Sequence, residues 1–161
     1  MIEIIKLEES RWKEYKSLRL FALKNENFAF LSKYEDELKL KPKDWKKRIF
    51  SGIFAQENEK LIGTVACVFS KKEKTKHVAE LVALYVLPDY RKKGVAKKLL
   101  NYFVQGCKEN NIKKIKLDVI SKNIPAKKFY LKNGFKIVGI FKKEFFVNGK
   151  YLDCIAMEKQ I

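Results

Sequence analysis

The chain is short of histidine, cysteine, arginine, proline and glycine, and each shortage excludes something. Its one histidine, His77, and its three cysteines, Cys67, Cys107 and Cys154, stand far apart and lack the paired spacing of a metal site. No metal is expected, and the odd-numbered cysteines read as reduced core residues. Seven glycines and three prolines fall at joins between periodic segments rather than in linkers or repeats. The 161 residues therefore read as one domain, 1–161. Long apolar runs are also missing. The longest, LVALYVL, is far too short to span a bilayer, and the opening MIEIIKLEES carries charges where a secretory signal is apolar. A cytoplasmic protein with no membrane partner is the expectation.

Charge of one sign is scarce. Lysine and arginine number 36 against 19 acids, a formal charge of +17, so an anionic partner is expected. Nucleic acid is the first suspect, but the cations are mostly lysines scattered along the chain. Arginine, the bidentate reader of bases, occurs only as Arg11, Arg19, Arg48 and Arg91. A non-catalytic basic nucleic-acid-binding module, the alternative from another functional class, needs a cationic groove or aromatics stacked on an exposed sheet. Most aromatics here fall on periodic positions expected to face a core, which disfavours it.

Periodicity orders the elements. IEIIKL reads as a strand, and Ser10 is positioned to cap a helix in which Trp12, Tyr15, Leu18 and Ala22 recur at spacings of three and four. A second short helix follows Pro42. GIFAQENEKLIGTVACVFS has two β-rich runs around a polar turn, and HVAELVALYVL is too continuously apolar for a sheet edge. From Gly94, a face of Val95, Leu99, Phe103 and Cys107 predicts a helix to about Glu109; IKKIKLDVI returns as a strand. Asn123 is positioned to cap a helix that Gly134 ends, and Asn148-Gly149 marks a closing hairpin. The sum is an α/β (α+β) domain: a mixed, mostly antiparallel sheet flanked by helices, with a C-terminal β-hairpin.

Between HVAELVALYVL and the helix that follows it lies PDYRKKG. A helix start exposes unpaired N–H groups and the positive end of its dipole, and Gly94 and Ala96 leave the approach clear. Arg91, Lys92, Lys93 and Lys97 add charge, so the loop suits a pyrophosphate; the plain alternative is a solvated basic turn. The glycine patterns of a P-loop and of a Rossmann turn are both absent.

Arg91-Lys92-Lys93-Gly94-Val95-Ala96 resembles the pyrophosphate loop of the GNAT N-acetyltransferases, Arg/Gln-x-x-Gly-x-Gly/Ala. A second element of that family, Asn-x-x-Ala-x-x-Phe/Leu-Tyr-x-x-x-Gly-Phe, is matched by Asn123, Ala126, Phe129, Tyr130, Gly134 and Phe135. The resemblance is specific over residues 79 to 138, and in pattern is nearest the ribosomal-protein alanine type. It implies acetyl-coenzyme A as cosubstrate and an amine acceptor, a peptide or a small molecule; a homodimer stays open. By position, the backbone of Leu84, Tyr85 and Val86 would pair with the pantetheine arm. The amides of Lys92, Lys93, Gly94, Val95, Ala96 and Lys97 would hold the pyrophosphate, and Asn123 would bond the pantetheine as well as capping its helix.

Direct transfer needs a neutral amine, a polarised carbonyl and a proton for the leaving thiolate. The resemblance makes Tyr130 the candidate acid. Asp118 lies where the ribosomal-protein type has a glutamate and is one methylene shorter, which suits relay through a water. Glu80 lies where histone acetyltransferases of the family carry their catalytic glutamate, and a carboxylate in a mostly buried strand is costly unless paired or used. With no histidine placed to activate a cysteine, a covalent route is rejected. Glu35, Asp36 and Glu37 form the one dense acidic patch, able to attract a cationic amine or to be a solvated helix start; the field of the whole molecule disfavours polyamines unless that patch overrides it.

Overall fold

Alternation in the strands gives the sheet two apolar faces before any helix is placed. In β2 (Gly52–Glu57), Ile53 and Ala55 join one core while Phe54 joins the other. The computed structural model describes residues 1–26 and 28–161. Its other strands are β1 (Glu3–Ile5), β3 (Lys60–Phe69), β4 (Val78–Val86), β5 (Lys114–Ile120), β6 (Lys136–Val147) and β7 (Lys150–Gln160). They form one seven-stranded sheet in the order β1-β2-β3-β4-β5-β7-β6, in which only β4 and β5 run parallel. The mixed, mostly antiparallel sheet and closing hairpin expected from the sequence are present.

Helices α1 (Trp12–Asn25) and α3 (Pro42–Ile49) cover one face, with Tyr15, Leu18, Trp45 and Ile49 packed on Phe54, Leu61 and Tyr85. On the other face Val95, Leu99, Leu100, Phe103 and Cys107 of α4 (Val95–Glu109) join Tyr130 of α5 (Ile124–Lys132) and Phe135. The α4 face read from periodicity is therefore the buried one. Asn123 caps α5 by accepting from the Ala126 N–H at 3.2 Å. The end of α5 is a left-handed cap: Gly134 has φ +86°, its N–H reaches Leu131 O and the Phe135 N–H reaches Tyr130 O, both at 3.1 Å. Asn148 and Gly149, with φ of 49° and 75°, turn the β6–β7 hairpin. Among the described residues no helix is long and apolar enough to cross a membrane.

Three expectations are corrected. Ser10 caps nothing: a 3₁₀ turn over Glu9–Arg11 leads into α1, and the Ser10 hydroxyl turns to the Glu8 carboxylate instead. The aromatics are less uniformly buried than their spacing implies, since Phe50, Phe69, Phe141, Phe146 and Tyr151 are at least half exposed. They form no single platform: Phe50 follows α3, Phe69 ends β3, and the other three lie on the hairpin.

The third correction concerns the acidic patch. Glu35 and Asp36 are exposed, but Glu37, on the short helix α2 (Tyr34–Leu38), is buried. Its carboxylate accepts from Arg19 Nε at 3.0 Å and Nη2 at 2.8 Å, a bidentate pair, and lies 2.8 Å from Arg48 Nη1. One carboxylate thus ties α1, α2 and α3 together. Burial alone would push the Glu37 carboxyl up, but Arg19 first, then Ser32 and Arg48, override it and hold the group below its ordinary value of 4.5. A depressed carboxyl stabilises the fold above the unfolded value and loses that contribution as pH falls through the folded one. Glu37→Gln is therefore expected to lower unfolding stability at pH 7 by about 3–5 kcal/mol, because two guanidiniums lose their counter-charge. In denaturant titrations, the gap between wild type and variant should narrow as pH is taken below 4.5, and a gap independent of pH would contradict the assignment.

Candidate active site

The site begins where β4 and β5 part. They pair only at Val78, Ala79 and Glu80 with Lys114, Ile115 and Lys116, after which β5 follows β7 and leaves the edge of β4 open. The bulge in β4 sharpens the divergence. Ala83, a non-glycine residue with φ +55°, sits where the β3–β4 register slips between Thr64/Tyr85 and Ala66/Val82. A backbone that turns away from both neighbours has unpaired N–H and C=O groups, and these need an outside partner.

A cavity of about 440 Å³ occupies this wedge. Leu81 to Leu84 of β4 and Leu117 to Ile120 of β5 form two of its sides; Asn123, Ala126 and Tyr130 of α5 close one end. Residues 28–32, with Tyr15, Arg19, Glu37 and Arg48, make the opposite wall, and Phe145 closes it from the hairpin. Phe145 is aimed by a bulge in β6, where Lys143 (φ +55°) donates its N–H to Asp153 Oδ1 at 2.9 Å and Lys142 Nζ donates to Oδ2 at 2.9 Å. Those bonds, the backbone one first, hold the Asp153 carboxyl below its ordinary value.

Of the sequence-predicted residues, Glu80, Leu84, Asp118, Asn123 and Tyr130 come together around this one cavity. Tyr130 is 7% exposed, and burial alone pushes its phenol well above the ordinary value, with no hydrogen bond from the described residues offsetting it. Its hydroxyl therefore stays protonated at neutral pH. Glu80 is less buried than its strand context suggested: its side chain is 34% exposed and pairs with Lys116 Nζ at 3.2 Å. Asp118 is exposed and has no cationic partner within salt-bridge distance among the described residues. It stands beside Cys154, whose thiol burial and then this carboxylate push up to about 11. Cys67 also touches the cavity, and its thiol is raised by its contact with Cys107 and by burial. Neither cysteine is an activated nucleophile.

Tyr85 and Val86 do not line the cavity. The Tyr85 ring packs beside Phe30 on the α1 face, and the Val86 carbonyl already accepts from Arg91 Nε at 3.0 Å. Arg91 is thus not a free cation. Besides that bond it pairs with Glu26 at the end of α1 and lies over the Tyr85 ring, so it braces the loop against β4.

The loop itself lies beyond the cavity. Val95 anchors it, being 1% exposed in the core, while Lys92, Lys93, Gly94 and Lys97 are exposed and Ala96 is half-buried. Lys92 has φ +61° and Gly94 φ +81°, and this alternation turns successive N–H groups toward one side. The first bond of α4 runs from the Lys98 N–H to Gly94 O at 3.0 Å, so the amides of Gly94 to Lys97 have no intrahelical acceptor. A Cβ built on Gly94 meets no protein atom within 4 Å, so the space in front of these amides is open.

Sequence reading missed the Arg19–Glu37–Arg48 wall. The signal was available: Arg19 lies four residues after Tyr15 and three before Ala22, on the face of α1 read as core.

The Acetyltransferase (GNAT) family model matches residues 6–135. The chain is 31% identical over 101 residues to an L-amino acid N-acetyltransferase of Escherichia coli, and 33% identical over 103 residues to a spermidine N(1)-acetyltransferase of Thermoplasma acidophilum. These stretches cover 62% and 64% of this chain, and the chain spans only 61% and 60% of those relatives' own lengths. A GNAT-family acetyltransferase structure from Streptococcus pneumoniae superposes with a TM-score of 0.87 at 20% identity, covering 100% of this chain and 99% of that one, which is likeness of fold. By the extent of the family match, which includes the parted strands and the loop at Gly94, this chain belongs to the Acetyltransferase (GNAT) family.

Proposed function

We propose that this protein transfers an acetyl group from acetyl-coenzyme A directly to a primary amine (a protein N-terminus, a lysine or a small-molecule amine) within a ternary complex. The observation that carries the reading is the open edge of β4 along a cavity that ends at Tyr130, with unpaired amides at the start of the helix that follows β4. Family membership implies acetyl-coenzyme A, and the chain's own features fit it. An open strand edge suits the amides of a pantetheine arm, and the Leu84 backbone and the Asn123 side chain are the nearest candidates to bond it. Exposed amides over residues 92–97, with Lys92, Lys93 and Lys97 around them, suit a pyrophosphate. When bound, acetyl-coenzyme A supplies a thioester whose carbonyl can accept an amine.

In this reading the amine nitrogen bonds to the acetyl carbon, the carbon–sulfur bond breaks, the nitrogen sheds a proton and the sulfur takes one. Tyr130 is the donor toward sulfur, since its phenol stays protonated in its buried setting. Asp118 is the better-supported acceptor of the nitrogen's proton, directly or through a water. Glu80, the second candidate, is already paired with Lys116 and acts there only if that pair opens. The raised thiols of Cys67 and Cys154 favour direct transfer over a cysteine intermediate.

Two variants test the reading. Gly94→Val puts a branched side chain into the open space before the amides, at a φ of +81° that such a residue resists. It should weaken coenzyme A binding by at least about tenfold by calorimetry, with helical content retained; unchanged affinity in a folded variant would remove the loop from the site. Tyr130→Phe keeps the packing against Phe129 and Phe135 and removes one oxygen. Acetyl transfer should slow by about a hundredfold or more while coenzyme A affinity and thermal stability hold. A residual rate within a few-fold of wild type would show that Tyr130 only packs.

A further inference from the structure

We infer that the outer face of α5, with the start of β6 that it leads into, docks on the surface of an anionic lipid bilayer; the inference is independent of the acetyl-transfer reading. Two excesses meet there, one of positive charge and one of apolar surface. Lysines occur throughout the chain, but their surplus over acids does not. Residues 91–136 hold 14 lysines and arginines against two acids, Glu109 and Asp118, and so carry +12 of the chain's +17. Among the described residues, ion pairs occupy only Arg91, Lys114 and Lys116 of these cations. A pyrophosphate at the loop would account for Lys92, Lys93 and Lys97, which still leaves the lysines of α5 without a counter-charge.

The outer stripe of α5 is Ile124, Lys128, Leu131 and Lys132, spaced by three and four along the helix and all exposed, while Tyr130 is turned into the core. The first residues of β6 extend its apolar part. Ile137 pairs with Met157 and Ile140 with Ile155, and both partners belong to the core that α5 covers. Residues directly opposite on a ladder share a face, so both isoleucines stand on the α5 side. The register slip between Ile137 and Gly139 makes this possible, because residues three apart on a regular strand face opposite ways. Ile124, Leu131, Ile137, Val138 and Ile140 are between 41% and 56% exposed, on the edge strand of the sheet and the helix before it.

An anionic bilayer accounts for both excesses, and other partners account for one each. A second copy of this chain would cover the apolar residues but bring two surfaces of the same sign together. A nucleic acid would match the lysines and leave the five apolar side chains without a partner; α5 and β6 also contain no arginine to read bases. Lysine is depleted from the cores of protein interfaces, whereas Lys128 and Lys132 are interleaved with Ile124 and Leu131 on one stripe. A bilayer surface takes the mixture. Lysine stems lie along the acyl boundary with their ammonium groups at lipid phosphates, and apolar side chains enter between the headgroups. Each lysine near such a surface adds about fivefold in affinity.

The test is vesicle flotation with the full chain. Vesicles of phosphatidylglycerol and phosphatidylcholine in equal parts should carry the protein up the gradient, and vesicles of phosphatidylcholine alone should leave it at the bottom. Lys128→Gln with Lys132→Gln should weaken binding to the anionic vesicles by at least about tenfold. Leu131→Ser with Ile140→Ser should weaken it by about as much, at high salt as well as low. Lys43→Gln with Lys47→Gln, exposed on α3 across the sheet, should bind as wild type does. The melting temperature and coenzyme A affinity should stay near wild type in all three pairs, which are exposed and do not line the cavity. No flotation with anionic vesicles, equal flotation with both kinds, or equal loss in the α3 and α5 lysine pairs would overturn the inference. So would loss in the α5 lysine pair with none in the apolar pair, the behaviour of a general polyanion surface. A dimer in sedimentation velocity that Leu131→Ser with Ile140→Ser dissolves, without vesicle binding, would assign the patch to a second copy instead.

Discussion

Everything distinctive about this molecule depends on two parallel strands that stop pairing. β4 and β5 share three register pairs and then diverge, and an edge of backbone opens in the middle of a seven-stranded sheet. A sheet ordinarily closes such an edge, since unmatched N–H and C=O groups are costly away from water. Here the divergence is built in from both sides. β5 is held along its length by β7, from Lys114 to Ile120, and the Ala83 bulge turns β4 away. The cavity is the space this leaves, and its location, between two faces that each carry their own core, gives it one wall from every layer of the fold.

Electrostatics acts locally against a positive background. With a net charge of +17 the surface attracts anions generally, but the site's selectivity lies in which charges are already used. Arg91 is committed to Val86 and Glu26, Glu80 to Lys116, and Glu37 to two arginines. What remains is the backbone amides and lysines of the loop, which suit a phosphate, and the carboxylate of Asp118, which suits an amine.

Much of this was legible in the sequence because local rules agree with the fold. Asn123 and Gly134 bracket α5 by cap chemistry, Asn148-Gly149 makes the hairpin, and the apolar face of α4 is the buried one. Asn123 and Tyr130 by motif, and Glu80, Leu84 and Asp118 by position on their strands, are legible as candidates, and these five meet at one cavity. What stayed hidden is long-range. Glu37 reads as part of an acidic surface patch because its partners are 18 residues away on α1 and on the following helix. Ser10 has the right chemistry for a cap, but the chain enters α1 through a 3₁₀ turn. Arg91 looks like a phosphate ligand because only tertiary structure brings Glu26 and the Val86 carbonyl to it.

The central claim is that the open edge of β4 and the amides at the start of α4 together form one binding surface for the coenzyme. Amide hydrogen exchange tests it directly, because it reads the backbone groups on which the claim rests. Adding coenzyme A should slow exchange in two separated segments, 81–86 and 92–97, with the centre of α4 and the β6–β7 hairpin unchanged. Protection confined to other segments, or absent from both of these at saturating coenzyme A, would contradict the account.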